Sequence, residues 1–132
     1  MRAPIPPRPP YRLALCPRSE AERISGLPAE QRKRFSMDEL KDLDALLPGR
    51  RLDRLAGRLA AKRALTEHFS VEEGWQAEPQ ELEIFNDAAG RPILRLPAGA
   101  AAQAPSFSIA HCAEGGAAAV AAPGRRVGVD IE

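Results

Sequence analysis

The run from Arg50 to Phe69 constrains the fold most. Pro48-Gly49 punctuates the chain before it, and Glu72-Glu73-Gly74 follows it. At about 100° per residue, Leu52, Leu55, Ala56 and Leu59 gather on one side, which predicts a helix with an apolar stripe toward a core. Arg51, Arg54, Arg58 and Lys62 gather on another side. Four cations on one face repel unless something anionic compensates them. A solvated face is the plain reading and a phosphate-binding surface the sharper one.

Other elements follow from local signals. Tyr11–Leu15 alternates as a strand and meets Pro17. Pro28-Ala29-Glu30 opens a helical stretch with proline in its first turn. Ser36 and Glu39 have capping-box spacing ahead of Leu40, Leu43 and Leu46. After Gly74 the character changes to strand. Leu82, Ile84 and Phe85, the turn Asn86–Gly90 and the segment from Pro92 to Leu96 predict a hairpin. An alanine-rich loop from Gly99 to Ala104 follows. Three apolar runs, Ser106–Ala110, Ala117–Ala122 and Val127–Ile131, predict further strands. Strands clustered after helices argue an α+β fold, helices packed on a small, largely antiparallel sheet. Residues 1–10 hold five prolines and read as an extended tail, leaving 11–132 as one domain of ordinary size.

Composition removes several classes. Basic groups number 19 and acidic groups 18, so the chain is not basic all over as a generic nucleic-acid binder would be. No apolar run approaches the roughly 20 residues of a membrane helix, and the N-terminus has no apolar signal region. Cys16 and Cys112 cannot make a disulfide framework, so a reduced, cytoplasmic setting is expected.

Three short features carry chemistry. In Val127–Glu132, strand alternation puts Asp130 and Glu132 on one side and Val129 and Ile131 on the other. Carboxylates about 7 Å apart repel unless they share a cation or water; a solvated pair is the plain reading, and oxygen ligands of this kind also suit Mg²⁺. The second is Ser106–Cys112. His111 is a candidate ligand or a satisfied surface residue. Cys112 reads more readily as a small hydrophobe than as a nucleophile, since no third triad member is in view. The third, Gly90-Arg91-Pro92, holds a cation at the hairpin turn.

In this order the motifs resemble the 4′-phosphopantetheinyl transferases of the larger surfactin-synthetase and enterobactin type. Ala56–Leu65, Asn86–Leu94, Ser106–Cys112 and Val127–Glu132 carry the likeness, which extends over about residues 28–132. The resemblance implies transfer of the 4′-phosphopantetheine arm of coenzyme A to a serine of an acyl or peptidyl carrier protein. The reaction needs Mg²⁺ and releases adenosine 3′,5′-bisphosphate. It also implies a pseudo-dimer of two similar halves with coenzyme A between them.

Position by position, the likeness makes Asp130 and Glu132 the catalytic metal ligands and His111 a 3′-phosphate ligand. Arg91 and Pro92 lie beside the nucleotide. Arg58, with Arg50 or Arg51, forms a phosphate clamp. Ala110 stands where the family usually has serine. The family's second half, with a further acid and a lysine, has no counterpart here. This chain then reads as the N-terminal half, inactive alone and completed by a missing C-terminal half or a second chain. The alternative is a non-catalytic coenzyme A or carrier-protein binding module. Neither nucleic acid nor membrane is an expected partner.

Overall fold

The computed structural model describes residues 11–100 and 102–130, so the expected tail 1–10, Ile131 and Glu132 lie outside the described residues. The chain begins with β1 (Tyr11–Pro17) and three short helices, α1 (Arg18–Ser25), α2 (Pro28–Arg34) and α3 (Met37–Asp44). The long helix α4 (Pro48–Glu73) follows, then a 3₁₀ turn (Pro79–Glu81) and the hairpin β2 (Glu83–Asn86) and β3 (Pro92–Arg95). Strands β4 (Ser106–Cys112) and β5 (Gly115–Ala121) complete the regular structure. This is the expected α+β class.

Local chemistry explains most boundaries. The capping box forms as read: Ser36 Oγ accepts from the Glu39 amide, and the Glu39 carboxylate accepts from the Ser36 amide. Prolines open α2 and α4, where a missing amide hydrogen costs nothing. α4 runs further at both ends than its apolar periodicity indicates. α1 is a helix the sequence does not announce, because its N-cap is Pro17 and makes no side-chain capping bond. β1 continues through Cys16 to Pro17, which an edge strand tolerates.

The main sheet has the order β1-β5-β4, all antiparallel, with Leu13 opposite Ala119 and Ala119 opposite Ser108. α4 crosses its inner face and packs on all three strands. The fit depends on two glycines. A Cβ on Gly116 of β5 would lie 2.5 Å from the Ala56 and Gly57 backbone, and one on Gly57 would lie 2.7 Å from Ile109 Cγ2. Glycine in a helix interior costs about 1 kcal/mol relative to alanine; here it lets helix and sheet approach closely.

On its other sides α4 meets α1, α3 and the 3₁₀ turn, so every residue from Leu55 to Lys62 is buried. The core joins Leu55, Leu59, Leu65 and Phe69 of α4 to Ile24, Phe35, Leu43, Leu82, Ile84 and Val120. Among the described residues the outer sheet face has no such cover. Leu13 and Leu15 are 55% and 59% exposed there, on the side of β1 opposite Ala14 and Cys16.

One expected strand is corrected. Val127–Ile131 has the alternation of a strand, but among the described residues 127–130 none joins a sheet. Val127 and Val129 are half-buried and Gly128 and Asp130 exposed, so the in-out alternation persists without strand partners.

Candidate functional site

The early turns of α4, the hairpin turn and the end of β4 converge on one cleft of about 270 Å³. From α4 come Arg50, Asp53, Arg54, Gly57 and Arg58. The hairpin contributes Asn86, Gly90 and Pro92, and β4 contributes Ile109 and His111. Three separate stretches of sequence thus meet. Strand alternation places Ile109 and His111 on the helix side of β4, and the missing Gly57 side chain leaves room between them and the helix.

The cleft is cationic and under-compensated. Among the described residues, Arg50 and Arg54 make no salt bridge and no side-chain hydrogen bond. The first turn of α4 holds no acid, so Arg50 sits near the positive end of the helix dipole without an anion to offset it. His111 is about half exposed, with Nδ1 4.0 Å from Asp53 Oδ2. Asp53 is held in turn by Arg18 of α1, whose Nη1 lies 3.2 Å from Oδ1. A small ligand carrying phosphates would supply the anion this arrangement lacks.

Arg58 differs in kind. It is buried, and burial together with the neighbouring Arg54 pushes its guanidinium down to about 10. Nη1 donates to the Ile84 carbonyl and Nη2 to Asn86 Oδ1 at 3.0 Å. It therefore borders the cleft while its donors hold the hairpin.

Of the remaining residues singled out from sequence, several do not reach the cleft. Arg51 turns to Asp44 at 3.0 Å and Gln31 at 3.3 Å, between α2 and α3. Arg91 is exposed on the turn, its backbone amide donating to Asp87 Oδ1. Ala110 pairs with Ala117 and lies on the face of β4 opposite His111. Cys112 shares that opposite face, so it and His111 do not form a dyad. Lys62, fourth in the basic row, is buried against Glu39 at 2.6 Å. Asp130 is exposed. Among the described residues no three His, Cys, Asp or Glu side chains converge as a metal site.

Asp53 and Asn86 are site residues that the sequence reading does not single out. Asp53 carries a signal, as the one acid between Arg50 and Arg54. Asn86 carries one as the first residue of the turn and of the segment Asn86–Leu94, in which the resemblance partly lies.

A three-stranded antiparallel sheet backed by one long helix, with an arginine-rich cleft at its N-terminal end, defines an α+β domain suited to a phosphorylated ligand. Comparison with known proteins narrows this. The holo-(acyl-carrier-protein) synthase from Bacillus anthracis, solved in complex with CoA (3′,5′-ADP), superposes with a TM-score of 0.69 at 22% identity, covering 85% of this chain and 93% of that one. The holo-[acyl-carrier-protein] synthase from Neisseria meningitidis gives 0.70 at 20% identity, covering 85% and 95%. The fold is that of the holo-[acyl-carrier-protein] synthases. In sequence, a holo-[acyl-carrier-protein] synthase of Exiguobacterium sibiricum is 37% identical over 71 residues, 54% of this chain and 49% of that protein. The chain thus aligns with about half the length of this curated relative. No protein-family model matches. None of the described helices is long and apolar enough to cross a membrane.

Proposed function

We propose that the cleft binds coenzyme A and that the chain serves the transfer of its 4′-phosphopantetheine arm to a serine of an acyl or peptidyl carrier protein. The carrying observation is the pair Arg50 and Arg54, without an ion-pair partner among the described residues, beside His111 on a fold shared with holo-[acyl-carrier-protein] synthases. Coenzyme A brings a 3′-phosphate and a pyrophosphate, for which guanidinium groups and an imidazolium are apt partners. The attacking serine hydroxyl belongs to the carrier, and adenosine 3′,5′-bisphosphate leaves. This chain's contribution is to hold the departing nucleotide.

Within the transferases, the V-G-V-D-I-E motif at 127–132 supports the surfactin-synthetase and enterobactin type. Asp130 and Glu132 would hold Mg²⁺, which when bound neutralises charge on the pyrophosphate. Asp130 offers an exposed carboxylate of the right chemistry. The uncovered face bearing Leu13 and Leu15 supports a second unit packing there, either the other half of a pseudo-dimer or another chain.

Calorimetry with coenzyme A and dephospho-coenzyme A tests the reading. Loss of one charge-assisted phosphate contact should weaken binding by about 1.5–3 kcal/mol. Equal affinity for the two ligands would overturn the assignment of the cleft to the 3′-phosphate.

A further inference from the structure

We infer that Arg58 is a positioning residue, fixing the Asn86 amide so that its NH₂ group faces the cleft and donates to an acceptor on the bound nucleotide. The inference rests on the coenzyme A reading. It begins with a matter of donors. A guanidinium has N–H groups only and no acceptor. Arg58 Nη2 lies 3.0 Å from Asn86 Oδ1, and its other amino group is committed to the Ile84 carbonyl. The reverse flip of the amide would set two donors against each other at hydrogen-bond distance. The oxygen therefore faces Arg58 and the NH₂ faces away from it.

Burial makes this device stiff. Arg58 is 4% exposed and enclosed between helix and hairpin, so it cannot swing to another acceptor without leaving its charge stranded. Asn86, by contrast, is exposed and lines the cleft. Its amide is not consumed by the turn it opens. Asp87 closes that turn instead, its Oδ1 accepting from the Ala89 and Arg91 amides and its backbone amide donating to the Arg91 carbonyl. Among the described residues the Asn86 NH₂ has no acceptor. Two oriented donors thus stand at the hairpin end of a cleft whose helix end carries Arg50 and Arg54. Their complement is an unprotonated acceptor, a purine ring nitrogen or a phosphate oxygen.

The decisive variant is Asn86→Asp, which keeps an acceptor for Arg58 and removes both donors. Ala89→Asp, on the exposed turn, controls for the added charge. Calorimetry of the full chain should show Asn86→Asp weakening coenzyme A binding on the order of tenfold, and Ala89→Asp by less than about twofold. Equal loss toward dephospho-coenzyme A assigns the contact away from the 3′-phosphate, and loss confined to coenzyme A assigns it there. In wild-type protein the Asn86 side-chain NH₂ resonances should move on saturation with coenzyme A. Wild-type binding with an unchanged Asn86→Asp affinity, or with stationary NH₂ resonances, overturns the inference and leaves the cleft assignment standing. Failure of the wild type to bind coenzyme A overturns both.

Discussion

Lys62 Nζ donates to Glu39 Oε1 across 2.6 Å, and both side chains are shut away from solvent. The same carboxylate accepts from the Ser36 and Ile84 amides, each at 3.0 Å, and Lys62 also donates to the Pro79 carbonyl. One buried ion pair therefore ties α3, α4, β2 and the 3₁₀ turn together beneath the hairpin that borders the cleft.

Lys62→Met should destabilise the fold by about 3–5 kcal/mol, because it strands a buried carboxylate. The double variant Lys62→Met/Glu39→Gln should recover a large part of that loss. Urea denaturation of both variants checks this, and equal destabilisation by the two would count against it.

Stability should also depend on alkaline pH through the same lysine. Burial pushes the Lys62 ammonium from 10.5 down to about 8, with Glu39 opposing the shift. Between these values the unfolded chain binds more protons than the folded one, so this group raises stability as pH increases. Relative to the double variant, the wild-type urea midpoint should climb across that window. A flat difference would refute the assignment.

The glycine contact between helix and sheet gives an ordered pair of outcomes. Gly116→Ala drives a methyl into the α4 backbone, whereas Gly57→Ala meets the Cγ2 methyl of Ile109, a side-chain atom that a χ1 rotation can displace. Gly116→Ala should cost about 1–3 kcal/mol or more, and Gly57→Ala less. Thermal melts ranking them the other way would contradict the packing described.

If Asp130 holds the metal as proposed, Asp130→Ala should abolish phosphopantetheine transfer, in whatever assembly the wild-type chain is active, while leaving the fold intact. Asp130 is exposed, so its loss removes no core contact. Full activity across a magnesium titration would exclude the metal-ligand role.

The chain alone, residues 1–132, should not modify a carrier protein at a useful rate if it is one half of a pseudo-dimer. A carrier-protein mass-shift assay decides the matter, run with and without the other half added in trans. Robust modification by the isolated chain would show that the active site is not split.

Local signals in the sequence are reliable where the structure is local. The Ser36–Glu39 box, the helix opened by Pro28 and the Asn86–Gly90 turn all depend on neighbours a few residues away, whereas Pro48 reads as a break and in fact opens α4. The basic row of α4 is legible as a row and not as a surface. Periodicity puts Arg51, Arg54, Arg58 and Lys62 on one side of a helix, but it cannot say what tertiary packing lays over that side. The α3 helix and the hairpin cover most of it, converting Lys62 and Arg58 into internal ties, and of this row Arg54 alone lines the cleft with no ion pair among the described residues. Helix α1 escapes notice because it lacks a side-chain cap, and segment 127–130 misleads because alternation alone does not supply a partner strand.

The register of the main sheet has a consequence for biosynthesis. β1 is made before every other element of the sheet, yet its partner is β5, the last of them in chain order, with Tyr11 opposite Ala121. β5 is almost entirely alanine and glycine, residues with little strand preference of their own. The sheet cannot close until β5 has been made, and until then the side of α4 that packs on it lacks that cover. Pairing across so long a stretch of sequence slows folding and lengthens the time for which the apolar side of α4 is open to association with other chains.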